Sequence, residues 1–169
     1  MRDSYIEVSP GRFREVQGRY FEDFEVGHVY EHRPGRTITD ADNVWFTLLT
    51  MNTHPAHFDY ELSNDTEFGK PLVVSPLTIA LMTGMSVSDT SGKAIANLGW
   101  DEVRMTKPLF VRDTLYCESE VLEKRESKSR PEQGIVTFKT TAMNQHGEVV
   151  AHYKRSVLVW KRGFGNLDN

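Results

Sequence analysis

The segment Thr50–Asp59, TMNTHPAHFD, lies between the apolar run Val44–Met51 and Phe68–Ser75, FGKPLVVS, and the rest of the chain is arranged around it. It sets Asn52, His54 and His57 within six residues of one another. Pro55 drives His54 out of the α region, so the preceding helix must end where the imidazoles stand. A helix end followed by a turn suits a functional site, although a histidine in a turn is also commonly a plain hydrogen-bonding residue. The separation of His54 and His57 invites comparison with a metal pair, but the turn at Pro55 breaks the register such a pair needs. Cys117 is the single cysteine, so no Cys-rich zinc pattern is available and no metal is expected.

Upstream, Thr39 with Asp42 three residues on resembles a capping box with Asp in place of Glu, and Asp40 suits the positive end of the helix dipole. Val44, Leu48 and Met51, with Trp45 and Leu49, form an apolar face at helical spacing. Downstream, a polar link, ELSNDTEFGK, leads to LVVSPLTIALMTGMSVSDTSG. Ser75-Pro76 reads as a helix start: Ser can cap the free amides, and Pro at the first helical position loses nothing by lacking an N–H. Leu77, Ile79, Ala80, Leu81, Met82 and Met85 make this segment apolar nearly all round up to about Gly92, which predicts a buried helix. Its free N–H groups offer an anion or oxyanion site, beside the ordinary reading of a structural helix start.

The second half changes period. Ala94–Arg104, Thr114–Lys124, Ile135–Ala142 and Glu148–Trp160 read as strands, the last two joined by the hairpin signal Asn144-Gln145-His146-Gly147. The charges of Lys124–Arg130 read as a solvated hairpin tip. Long antiparallel strands following one apolar helix predict an α+β fold, a curved sheet wrapped around that helix. Toward the N-terminus, residues 1–18 read as a polar arm interrupted by Pro10 and Gly11. His28–His32 and Arg36–Ile38 read as separate extended pieces with turn signals at Gly27 and Pro34-Gly35.

With 169 residues, one domain is expected, at 19–162, followed by a tail at 163–169. A formal net charge of −4 with dispersed Lys and Arg gives no field for a nucleic acid backbone. The N-terminus shows no apolar h-region and no run nears the roughly eighteen apolar residues of a membrane span, so no membrane partner is expected. The lone cysteine favours a reducing compartment, and the expectation is a soluble, cytoplasmic protein.

Three ordered motifs carry a resemblance: NTHPAHFD at 52–59, FGKPLVVSPL at 68–77 and KPLFVRDTL at 107–115. A helix ending in an Asp-x-Asn-Pro-x-His-like turn, then F-G-x-P-hydrophobic, a buried helix, and strands with a Pro-x-x-hydrophobic-x-Asp-Thr-Leu step resemble the MaoC-like family of (R)-specific enoyl-CoA hydratases and dehydratases. The likeness runs from about Arg19 to Arg162. It implies a single hotdog fold, an acyl-CoA thioester substrate, no cofactor, and a homodimer or higher homo-oligomer with the site between subunits. The implied reaction is reversible syn addition of water to a 2-enoyl-CoA, giving a 3-hydroxyacyl-CoA.

In that family an Asp and a His hold a water, and a backbone N–H at the start of the central helix binds the thioester oxygen. By this resemblance His57 is the histidine and the Ser75 amide the oxyanion donor. Asn52 stands where the Asp should be, and an amide can orient water but cannot exchange a proton near neutral pH. His54 replaces the family Asn and offers a second proton-transfer group, with Asn52 positioning the water; Asp59 reads as a cap for the next turn. Arg104, Lys107 and Arg112 flank the strand that would edge the site, where they would meet CoA phosphates or a carboxylate of a short dicarboxylic substrate. Trp100–Asp101–Glu102 reads as an acyl contact or as a strand end. Two other functions stay open. A hotdog thioesterase would need a nucleophile or carboxylate base, and no such carboxylate stands out on the helix. A non-catalytic acyl-CoA-binding or structural subunit is favoured by Asn52.

Overall fold

In the computed structural model, which describes residues 5–165, the chain opens with a hairpin of β1 (Tyr5–Ser9) and β2 (Arg12–Glu15). Pro10 and Gly11, which interrupt the period of the expected arm, form its turn, with Gly11 at φ +73°. Residues 1–4 of that arm and 166–169 of the expected tail lie outside the described residues.

The strand β3 (Val29–Thr37) runs through Pro34-Gly35 where two pieces and a turn were expected. The turn residues produce an irregularity in its pairing between His32 and Arg36. Glycine is needed there because a Cβ on Gly35 would lie 2.6 Å from the Tyr116 ring on the neighbouring strand. α1 (Asp40–Leu49) starts with the expected box: Asp42 N–H donates to Thr39 Oγ1, and Thr39 N–H donates to Asp42 Oδ2. Within the polar link sits a short helix, α2 (Tyr60–Asn64), capped by Asp59, whose carboxylate accepts from Leu62 N–H. α3 (Ser75–Ser86) follows and runs on into a π turn at Val87–Ser91.

Four long strands complete the chain: β4 (Ala94–Met105), β5 (Thr114–Glu126), β6 (Gln133–Met143) and β7 (Val149–Trp160). They join β3 in a five-stranded antiparallel sheet of order β3-β5-β6-β7-β4. The β6–β7 turn is the expected one, with Asn144 Oδ1 accepting from the N–H groups of His146 and Glu148 and Gly147 at φ +77°. Alternate residues of β5, β6 and β7 are buried, as a sheet with one covered face requires. Leu115, Tyr153 and Ala142 meet Leu77 and Met82 of α3 in the main core, while Phe21, Phe24, Phe138 and Val157 form a second cluster. This is the hotdog arrangement, a curved sheet around one central helix. In α3, Leu77 and Met82 are buried and Ile79, Leu81 and Met85 partly so; at about 1.5–3 kcal/mol for each fully buried large apolar side chain, this accounts for the adherence of α3 to the sheet.

Two helices present faces that periodicity alone does not place. α3 buries Leu77, Thr78, Met82 and Ser86, but Ser75, Pro76, Ala80 and Gly84 face outward, because a single sheet covers one side of a helix. α1 buries Asn43 and Thr47, and its apolar residues Trp45, Leu48 and Leu49 are 66, 65 and 77% exposed. Among the described residues no helix is long and apolar enough to cross a membrane.

Candidate active site

The turn after α1 is built by side chains that bond to their own backbone. Met51 takes φ +56° at the helix end, Asn52 N–H donates to Thr47 O, and Asn52 Oδ1 accepts from His54 N–H. His54 then caps a single 3-10 turn, Pro55–His57, its Nδ1 accepting from Ala56 N–H at 3.2 Å. His57 Nδ1 lies 3.0 Å from Leu72 O. These contacts fix opposite tautomers in the neutral rings. A carbonyl only accepts, so His57 carries its hydrogen on Nδ1 and leaves the Nε2 lone pair free; a backbone N–H only donates, so His54 keeps Nδ1 bare and carries hydrogen on Nε2. The ring centroids are 5.7 Å apart.

The histidine turn is tied to the start of α3 through Asn43, which is 1% exposed. Its Nδ2 donates to His57 O at 2.8 Å and Leu72 O at 3.0 Å, and its Oδ1 accepts from Val74 N–H at 2.9 Å. One side chain thus links α1, the imidazole turn and the residue before the central helix. That residue, Val74, is the N-cap, so Ser75 is the first helical residue where a capping role was expected. The shift by one leaves Ser75 N–H at a position with no intrahelical acceptor, and Pro76 next to it has no N–H to offer.

His57 and Ser75, eighteen residues apart in sequence, line one cavity of about 300 Å³. Thr78 lines it too, and residues 105–109 form a further stretch of its wall. Lys107 belongs to that wall, its ammonium ion-paired with Glu148, whose carboxyl is held below the ordinary range chiefly by this hydrogen bond. Asn52 and His54 are not among the lining residues; they stand behind His57 in the turn. Nor are the two arginines. Arg104 donates to its own neighbour's carbonyl, Val103 O, and Arg112 borders a separate cavity of about 280 Å³ with Asp40 and Tyr60. Trp100–Asp101–Glu102 neither ends β4 nor reaches the cavity: the strand runs on to Met105 past an irregularity where Glu102 takes φ +49°.

Asn43 and Thr78 are the two residues a pattern reading passes over. Asn43 is a poor helix former just past a capping box, and Thr78 is a β-branched polar residue inside an apolar run; both are faint signals of a side chain bonded to something other than its own helix. Among the described residues no group of three or more His, Cys, Asp or Glu side chains could hold a metal ion.

A second chain of polar groups looks nucleophilic and is not placed to be so. Asp89 Oδ2 bonds His32 Nδ1 at 3.1 Å, and His32 Nε2 bonds Ser119 Oγ at 2.8 Å. Ser119 and His32 are buried, neither lines the cavity that His57 and Ser75 share, and the Ser119 hydroxyl is engaged by both His32 and Thr140, so the serine is not placed to meet a substrate there. The chain ties β3, β5 and β6 to the end of α3. Nearby, the buried Arg155 guanidinium is received by the hydroxyls of Ser86, Thr90 and Ser91. The Cys117 thiol is pushed up to about 12 by burial, which keeps it protonated at neutral pH.

Residues 11–168 match the family model of mesaconyl-CoA hydratase. The chain belongs to the mesaconyl-CoA hydratase family. It is 36% identical over 151 residues to the mesaconyl-CoA hydratase of Cereibacter sphaeroides, covering 86% of this chain and 42% of that protein. It is 34% identical to the beta-methylmalyl-CoA dehydratase of Chloroflexus aurantiacus, covering 86% of this chain and 41% of that one. Among solved structures, the MaoC-like dehydratase of Rhodospirillum rubrum superposes with a TM-score of 0.76 at 29% identity, covering 87% of this chain and 100% of that chain. The MaoC-like resemblance of the three motifs and the hotdog fold therefore both hold. This member of the mesaconyl-CoA hydratase family spans about two fifths of the length of the two curated relatives.

Proposed function

We propose that this unit is a CoA-ester hydro-lyase that adds water to a 2-enoyl-CoA, or removes it from a 3-hydroxyacyl-CoA, and that a short branched dicarboxylic ester such as mesaconyl-CoA is its substrate. The observation that carries the reading is the convergence of a histidine with a free Nε2 and an unpaired helix-start amide on one cavity.

In the proposed reaction the thioester oxygen accepts from Ser75 N–H, which stabilises the enolate charge as it forms. His57 Nε2 removes a proton from water while the water oxygen bonds to C3. The C2–C3 π pair moves toward the carbonyl, and C2 is then protonated. His54, which does not line the cavity, is the proposed source of that proton through an intervening water, and the Asn52 amide nitrogen the group that orients water, its oxygen being engaged by the turn. Dehydration runs through the same steps in reverse. Lys107, at the rim, is the proposed contact for a CoA phosphate; Arg104 and Arg112 would serve only at the periphery. A second copy of the fold is the proposed partner, supported by the exposed apolar face of α1 and by Leu98 and Trp100, 51 and 45% exposed on the edge strand β4.

One observation favours a binding or structural subunit instead: among the described residues no carboxylate lines the cavity, and Asn52 spends its oxygen on the turn. The same fact argues against a thioesterase that uses a carboxylate base. Incubation with mesaconyl-CoA and crotonyl-CoA, following conjugated enoyl absorbance and free thiol together, separates the three. Loss of absorbance without thiol supports hydration, thiol release supports hydrolysis, and neither supports the binding subunit.

A further inference from the structure

Thr78 carries a hydroxyl with nothing to bond. The residue is 1% exposed, its Oγ1 has no hydrogen-bond partner, and it lines the cavity that His57 and Ser75 share. Other helical threonines of this chain do not leave theirs open: Thr47, Thr50, Thr83 and Thr90 each donate to the carbonyl four residues back. For Thr78 that carbonyl is Val74 O, already taken by the N–H groups of Leu77 and Thr78. A buried hydroxyl without a partner is destabilising, so the arrangement is costly unless something entering the cavity completes the bond.

We propose that Thr78 is the specificity-determining contact for a carboxylate carried on C3 of the enoyl chain, an inference that rests on the hydratase reading above. Its hydroxyl donates to that carboxylate while Ser75 N–H holds the thioester oxygen. Ser75 and Thr78 stand one turn apart in α3 and line the same cavity, so one short ligand can meet both donors. The positive end of the α3 dipole supplies the compensating field, and the one ammonium on the cavity wall, Lys107, is engaged by Glu148. A monocarboxylic enoyl group sets a methyl or methylene against the hydroxyl and leaves it unpaired, and sites built to hydrogen-bond a substrate reject such analogues strongly.

The test uses the full chain with mesaconyl-CoA and crotonyl-CoA, measuring kcat/KM and dissociation constants for wild type, Thr78→Val and Thr78→Ser, with thermal midpoints. Val keeps the shape and removes the oxygen. The ratio of kcat/KM for mesaconyl-CoA over crotonyl-CoA falls on the order of 10–100-fold in Thr78→Val and is largely restored in Thr78→Ser. The midpoint of Thr78→Val does not fall, since the lost hydroxyl had no partner in the chain. An unchanged ratio, or equal losses on both esters, overturns the proposal. If wild type turns over neither ester, the hydratase reading has failed, and the ratio of dissociation constants decides the Thr78 contact by the same criterion.

Discussion

Asn43 does for this site what no pattern of apolar residues can: it makes three hydrogen bonds from inside a helix to two other segments. Asn43→Ala leaves His57 O and Val74 N–H without this partner, while Leu72 O keeps the His57 Nδ1 bond, and we expect a loss on the order of 1–3 kcal/mol in urea unfolding, with turnover falling as the imidazole turn loosens. The histidines are legible in sequence because Pro55 marks the turn, but their tautomers are not, since those depend on Leu72 O and Ala56 N–H. His54→Gln keeps a donor and removes the exchangeable proton; turnover is expected to drop by about tenfold or more, and an unchanged rate would remove His54 from the acid/base work. Cys117 gives a simpler reading. With its thiol raised to about 12 by burial, it is expected to resist iodoacetamide at pH 8 in the native protein and to react once urea unfolds the chain, as mass spectrometry would show.

At the scale of elements, the four long strands and the capping box of α1 are readable because each follows a local rule, alternation against one covered face or a side chain bonded three residues on. β3 is harder, since Pro34-Gly35 is locally a turn and only the Tyr116 ring beside it makes the pair an irregularity inside a strand. The tie between β3, β5 and the end of α3 depends on Asp89, whose carboxyl is held below its ordinary value by the His32 hydrogen bond and the charges of His32 and Arg19, against the opposing effect of burial. A carboxyl depressed in the folded state stabilises above its unfolded pKa and loses that contribution as pH falls through the folded value. Asp89→Asn is therefore expected to unfold more easily at pH 7, by about 1–3 kcal/mol. That difference from wild type should shrink in urea titrations below pH 3.8, the carboxyl's ordinary value, and a constant difference down to pH 2 would remove the ion from the account.

For the whole molecule, periodicity reveals that α1 has an apolar stripe but not what lies over it. Among the described residues nothing does, and Trp45, Leu48, Leu49 and Met51 stand 66, 65, 77 and 87% exposed. If a second copy of the fold covers this face, Leu48→Glu with Leu49→Glu halves the mass found by light scattering while leaving the far-UV spectrum unchanged; an unaltered mass would place the interface elsewhere. The three motifs point to the family although only some of their residues, His57, Phe68, Leu72, Val73, Ser75 and 107–109, line the cavity, and the inward polar groups His32 and Arg155 escape a pattern reading because their partners come from segments distant in sequence. The central claim, that the His57 and Ser75 cavity adds water to an enoyl thioester, is tested most directly by the rate at which mesaconyl-CoA loses its conjugated absorbance with wild type and with His57→Gln of matched thermal midpoint. Wild type is expected to consume the ester without free thiol, and the variant to do so more slowly by about 100-fold or more. A variant as fast as wild type, or thiol released in step with the absorbance, would contradict it.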